Sequence, residues 1–180
     1  MKAYVFLAEG FEEIEAITPI DILRRADILV TTVSILSHKE VCGAHGIKIV
    51  ADILFEDANY SDADMLLLPG GMPGTKNLDA HAGLKKLLQK QAEQGKSLAA
   101  ICAAPSILGK MGLLDGKEAI CYPSFEPQLL GATLSTQKVV KSGNIITAMG
   151  AGVAVPFALK IVEVLKGKDL ADKIEKAICC

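Results

Sequence analysis

The chain has no tryptophan, and its 4% aromatic content comes from three tyrosines and five phenylalanines. Lysine and arginine total 19 against 21 acidic residues, for a net charge of −2. A surface with neither a basic field nor aromatic stacking platforms is a poor match for nucleic acid, so no nucleic-acid partner is expected. Long uninterrupted hydrophobic runs are also missing. The most apolar stretches, Met65 to Leu68 and Ala148 to Leu159, are short or broken by glycine and proline, well under the ~20 residues that span a bilayer. Met1-Lys2 leads straight into a strand-like run from Ala3 to Ala8, without the apolar region of a secretory signal, and the expected location is the cytoplasm. The five cysteines, Cys42, Cys102, Cys121, Cys179 and Cys180, are odd in number and never spaced C-x-x-C. They read as reduced thiols, not as a disulfide framework or zinc site, so no metal is expected. Neither a Walker A sequence nor G-x-G-x-x-G is found, and Gly150-Ala151-Gly152 lacks a third glycine, so no nucleotide or other cofactor is expected.

What is abundant is apolar side chains, 51% of 180 residues, in β-branched runs that alternate with amphipathic stretches. That pattern predicts an α/β fold, a mainly parallel sheet with helices on both faces, in one continuous domain. Strands are expected at Ala3–Ala8, Leu29–Ile35, Asp64–Leu68, Ser97–Ile101 and Ile145–Ala148. Helices are expected at Glu12–Ala26, kinked at Pro19, and at Leu78–Gln94, Pro105–Met111, Val153–Leu165 and Leu170–Ala177. Val41–Ala51 and Val139–Ala148 have the look of hairpins. Open sheets of this kind bind ligands at the carboxyl ends of their strands, where Glu9-Gly10, Pro69-Gly70-Gly71 and Cys102 converge.

Three segments carry candidate chemistry. Ser97 to Pro105 runs as an apolar strand, then Cys102, then small residues and a proline suited to a helix start. This is the layout of a nucleophile elbow, with Ala100 and Ala104 as the small neighbours that such a turn needs. A thiol facing a helix start is expected to ionise readily; the alternative is a buried small hydrophobe. Leu68 to Gly74 ends a buried strand in glycines and prolines, so the Gly71 amide, with that of Ala103, could cradle an oxyanion beside the Cys102 sulfur, or the loop could be only a connection. The third segment, Glu9 to Ile17, opens a helix with acids. Glu12 and Glu13 suit the helix dipole, whereas Glu15, set among Ile14, Ala16 and Ile17, can point inward and donate a hydrogen bond to sulfur as a protonated carboxyl.

Taken together, LAEGFEEIEAITPIDILRRA, LLLPGGMPGTKNL, AAICAAP and GAGVAVPFALKIVEVLKGK resemble the ThiJ/PfpI superfamily, in the branch of the Parkinson-associated deglycase and its bacterial relatives, along nearly the whole chain. The resemblance implies a flavodoxin-like three-layer sandwich and a homodimer. It also implies a reactive Cys102, an acid partner at Glu15 and oxyanion amides at Gly71 and Ala103. Relatives of this kind are assigned glyoxalase, deglycase, chaperone and oxidative-stress roles, so the implied partners are a small carbonyl substrate or peroxide. Peptidase-like members carry histidine directly after the cysteine, where this chain has Ala103, and another branch has histidine where this chain has Tyr122 before Pro123. Among the three histidines, His45 could reach a site across a dimer interface or simply be solvated, while His38 and His81 are expected at the surface. Arg24 and Arg25 complement the carboxyl end of the first helix.

Overall fold

A computed structural model describes residues 1–180. In chain order the elements are β1 (Lys2–Leu7), α1 (Glu13–Arg25), β2 (Leu29–Ser34), β3 (Glu40–Cys42), β4 (Lys48–Val50), β5 (Ile53–Leu54) and β6 (Met65–Leu68). These are followed by α2 (Gly74–Ala80), α3 (Ala82–Glu93), β7 (Ser97–Ile101), α4 (Pro105–Lys110), β8 (Glu118–Ala119) and β9 (Thr133–Leu134). The chain closes with β10 (Val139–Ser142), β11 (Ile145–Ala148), α5 (Ala154–Lys166) and α6 (Lys168–Ala177). Seven strands form one sheet in the order β10-β11-β7-β6-β1-β2-β5, parallel throughout except at β10.

The period of two along each strand divides the core between the faces of this sheet. Ala3, Val5 and Leu7 of β1, Met65 and Leu67 of β6, and Ala99 and Ile101 of β7 pack with α1, α5 and α6. Their neighbours Tyr4, Phe6, Leu66, Leu68, Leu98 and Ala100 pack with α2, α3 and α4 on the other face. Strands buried on both sides read as unbroken apolar runs, and the result is a three-layer α/β sandwich. Both expected hairpins are present, β3 with β4 and β10 with β11.

The single helix expected at Leu78–Gln94 is two. His81 adopts an extended ψ of 100° and ends α2, and its Nδ1 accepts the Leu84 amide at 3.0 Å to cap α3. A half-buried histidine stacked edge-on against Phe55, with ring centres 4.5 Å apart, therefore replaces the expected surface residue. Helix α1 runs unbroken through Pro19, which has no N–H to give the Glu15 carbonyl one turn earlier. The two-residue strand β5 and the small pair β8 with β9 have no counterpart in the sequence reading, being too short to show a period. No helix is long and apolar enough to cross a membrane.

Candidate functional site

Strands β1, β6 and β7 deliver their carboxyl ends to one edge, and three turns meet there. The β7–α4 turn places Cys102 at φ +65°, a left-handed conformation that costs a non-glycine residue about 1–2 kcal/mol. The strain is held by the surroundings: the Cys102 amide donates to the Ala148 carbonyl at 2.9 Å, and its carbonyl accepts from Tyr122 at 2.7 Å. Ala100 and Ala104, both fully buried, leave room for the sharp turn.

The turn after β6 brings Gly70 and Gly71 against this elbow. A side chain at Gly70 would lie 2.6 Å from Glu15 Oε2 and 2.7 Å from Cys102 Cβ, so the absent Cβ is what lets carboxyl and cysteine share the space. Gly71, at φ +89°, presses its backbone on the Glu12 amide and the Gly10 carbonyl, which leaves no volume for a Cβ. The amides of Gly71 and Ala103 both act on the Cys102 sulfur, where they favour its charged form.

Glu15 is 1% exposed. Its Oε2 accepts the Gly70 amide at 2.9 Å, while Oε1 is buried without a hydrogen-bond partner. Burial raises the carboxyl to about 7, against the pull of the Cys102 thiol and the Gly70 amide. The thiol departs from expectation. Burial first, and then the Glu15 charge, push Cys102 up to about 12, against the amides of Ala103 and Gly71. The helix start expected to lower it belongs to α4, which has only six residues and hence few aligned peptide dipoles. Two neighbouring acids titrate as a pair. The first ionisation of this pair comes at about 7, and the second is held far above the usual thiol range.

Glu13 is not the ordinary helix-start acid that its position suggests: it is 4% exposed and structural. Its Oε1 accepts the amides of His45 at 2.7 Å and Ile47 at 3.3 Å, and His45 Nδ1 lies 2.9 Å from Oε2. Burial pushes this carboxyl up, but the His45 ring and these amides outweigh it and hold it below the usual carboxylate range. His45 thus ties the β3–β4 hairpin to α1 within its own chain. Glu12, Glu13 and His45 place one potential metal-ligand atom each within 4.8 Å of one another, but the oxygens of Glu13 already serve the hairpin. His38 is exposed, with Nδ1 against the Glu40 carbonyl at 2.8 Å. Arg25 pairs with Asp21 at 2.7 Å, and Arg24 reaches Asp52 at 3.3 Å across to the sheet edge.

The loop after β11, whose Gly150-Ala151-Gly152 lacks a nucleotide motif, forms a wall of the site. Gly150 faces Tyr122 and the Oε1 side of Glu15, and the Ala151 amide also favours the Glu15 charge. A cavity of about 380 Å³ abuts the elbow here, lined by Tyr122, Pro123, Lys138, Met149, Ala151 and Val153 among others. Cys102 itself is not in its lining. The volume falls within the ~300–1,000 Å³ usual for small-molecule sites. Small residues in a loop rich in glycine carry no periodicity, so only proximity in the fold exposes this segment.

A parallel three-layer sandwich with a cysteine in a strained strand-to-helix turn defines a class, the elbow-type α/β proteins. Within it, this chain matches the DJ-1/PfpI family over residues 1–164 and belongs to that family. It is 41% identical over 175 residues to DJ-1 homolog B of Arabidopsis thaliana, covering 96% of this chain but only 40% of that protein's length. It is 32% identical over 173 residues to the glutathione-independent glyoxalase DJR-1.2 of Caenorhabditis elegans, covering 95% of this chain and 91% of the relative. Oxidized DJ-1 of Toxoplasma gondii superposes with a TM-score of 0.95 at 37% identity, covering 99% of this chain and 97% of that one.

Proposed function

We propose that the protein converts small reactive carbonyls, with methylglyoxal as the type substrate, by a cysteine-dependent and cofactor-independent route. The observation that carries the reading is Cys102 at φ +65° with two amides on its sulfur and a buried, proton-retaining Glu15 beside it. For attack the Cys102 proton passes to Glu15, and the amides of Ala103 and Gly71 stabilise the thiolate that forms. The thiolate adds to the aldehyde carbon, an S–C bond forms, and the carbonyl electron pair moves to oxygen, where the Gly71 and Ala103 amides receive it. Glu15 then gives its proton to that oxygen and, as the carboxylate, carries a proton from the former aldehyde carbon to its neighbour while the hydroxyl proton passes to the neighbouring oxygen, so that one carbon is oxidised and the other reduced without an external oxidant. Water hydrolyses the resulting thioester, releasing lactate and restoring the thiol. The relative named as a glyoxalase supports this reading. Purified protein given methylglyoxal should form lactate, and Cys102→Ser should not; equal lactate from both would overturn it.

A second reading rests on the same sulfur acting as an oxidation sensor. Cys102 is half-buried beside hydrogen-bond donors, whereas Cys121 is 1% exposed. Peroxide should convert Cys102 to sulfinate before the other four cysteines, and mass spectrometry showing equal labelling would refute that selectivity. Peptidase activity is disfavoured, because the three histidines are committed elsewhere: His38 to a backbone carbonyl, His45 to Glu13 and His81 to the start of α3. Ile14 and Ile17 of α1 are 53% and 41% exposed, and Ile47 and Val50 of the adjoining hairpin 52% and 72%. This apolar surface supports the expected homodimer, which sedimentation at several concentrations would test.

A further inference from the structure

The cavity of about 380 Å³ beside the elbow is larger than methylglyoxal needs. At the ~30 Å³ that a water molecule takes in the liquid, the five non-hydrogen atoms of methylglyoxal fill about 150 Å³ and leave more than half of the space open. Two walls of the cavity hang from the reactive turn. The Tyr122 amide donates to the Cys102 carbonyl at 2.7 Å, and the Cys102 amide donates to Ala148, one residue ahead of the wall formed by Met149 to Val153. The lining suits a ring. Tyr122 is 50% exposed, Pro123, Met149 and Val153 add apolar surface, and no carboxylate is present. Lys138 is the one charged residue of the lining, and an ammonium group and a thioether both pair well with an aromatic face or edge.

Glycine keeps part of this space clear where the fold does not demand it. Gly150 has extended backbone, with φ 165° and ψ −173°, which any residue adopts. A Cβ there would meet Tyr122 Cδ2 at 3.4 Å and Glu15 Oε1 at 3.9 Å, which is ordinary contact, and a Cβ at Gly152 would meet nothing within 4 Å. Neither strain nor crowding accounts for the two missing methyl groups, whereas an occupant lying against Tyr122 does. Building on the reading of the protein as a cysteine-dependent converter of reactive carbonyls, we propose that its substrates are α-oxoaldehydes with a planar, aryl-sized substituent. The substituent lies in this cavity against Tyr122 while the aldehyde meets Cys102. Phenylglyoxal represents the class: addition, proton transfer and hydrolysis proceed as for methylglyoxal, one water is consumed and mandelate is the product.

The test compares kcat/KM for phenylglyoxal and methylglyoxal in the full chain, following mandelate and lactate. Wild type should favour phenylglyoxal by about tenfold or more, mainly through a lower KM. Gly150→Ala sets a methyl group against the Tyr122 ring and Tyr122→Ala removes the ring; each should cut the preference about tenfold, whereas Tyr122→Phe, which keeps the ring, should retain it. A wild type without the preference, or an undiminished preference in both Gly150→Ala and Tyr122→Ala, overturns the proposal. A second arm needs no turnover. Acetophenone, an aryl ketone without the aldehyde, should saturably slow alkylation of Cys102 by iodoacetamide, read on the Cys102 peptide, and acetone at the same concentrations should not. Gly150→Ala should need about tenfold more acetophenone for the same protection. If neither aldehyde is converted but this protection holds, the carbonyl-converting reading fails and the aryl-binding cavity stands. No protection in wild type overturns the cavity's role whatever the turnover.

Discussion

Replacing Glu15 with glutamine tests the electrostatics of the site without relying on any substrate. In a Cys102→Ser background Glu15 is the only ionisable member of the pair. A carboxyl that releases its proton near 4.5 when unfolded and holds it to about 7 in the fold weakens folding once the solution is basic enough to ionise it. Because the folded value is the higher one, the unfolded chain loses the proton first. Stability should therefore fall as pH rises from about 4.5 to about 7 and stay level above that, for a total of about 3 kcal/mol. Glutamine has no such dependence, and any constant effect of the amide cancels when the comparison is made across pH. The stability difference between Glu15→Gln and its parent, measured by urea unfolding at fixed protein concentration, should shift in favour of glutamine by about 3 kcal/mol between about pH 4 and about pH 8. Parallel curves that differ by less than about 1 kcal/mol over that range would refute a buried, proton-retaining Glu15.

The strained elbow makes a prediction of its own. With φ at +65°, Cys102→Gly should be more stable than Cys102→Ala by about 1 kcal/mol, the relief of the left-handed backbone exceeding the extra entropy glycine loses; equal unfolding midpoints would remove the strain from the account. Glu13 and His45 should behave unequally although they touch. Glu13→Ala leaves two amides without an acceptor and should cost about 2–4 kcal/mol, whereas His45→Ala, which removes only an exposed ring, should leave the unfolding midpoint close to wild type. Comparable losses in the two variants would show that the ring, and not the backbone clasp, holds the hairpin.

The layers and the elbow were legible in the sequence because both rest on local rules. Met65 to Leu68 and Leu98 to Ile101 are apolar at every position, which only a strand covered on both faces requires, and Cys102 between small residues and ahead of Pro105 is a turn written in steric terms. Glu15 was picked out by its apolar neighbours, yet Ile14 and Ile17 are 53% and 41% exposed, and what buries the carboxyl is its approach to Gly70 and Cys102. The same local rule misjudged Glu13, two residues earlier, since its partners are the His45 and Ile47 amides, which lie more than thirty positions away and meet it only when the hairpin docks. It misjudged His81 as well, where a ring that stacks on Phe55 and caps α3 splits a helix whose amphipathic period continues across the break. The sign of the Cys102 shift was likewise outside its reach. Helix starts are visible in a sequence, but burial and the approach of Glu15 are distances in three dimensions, and in the low-dielectric interior they outweigh the amides of Ala103 and Gly71 that favour the thiolate.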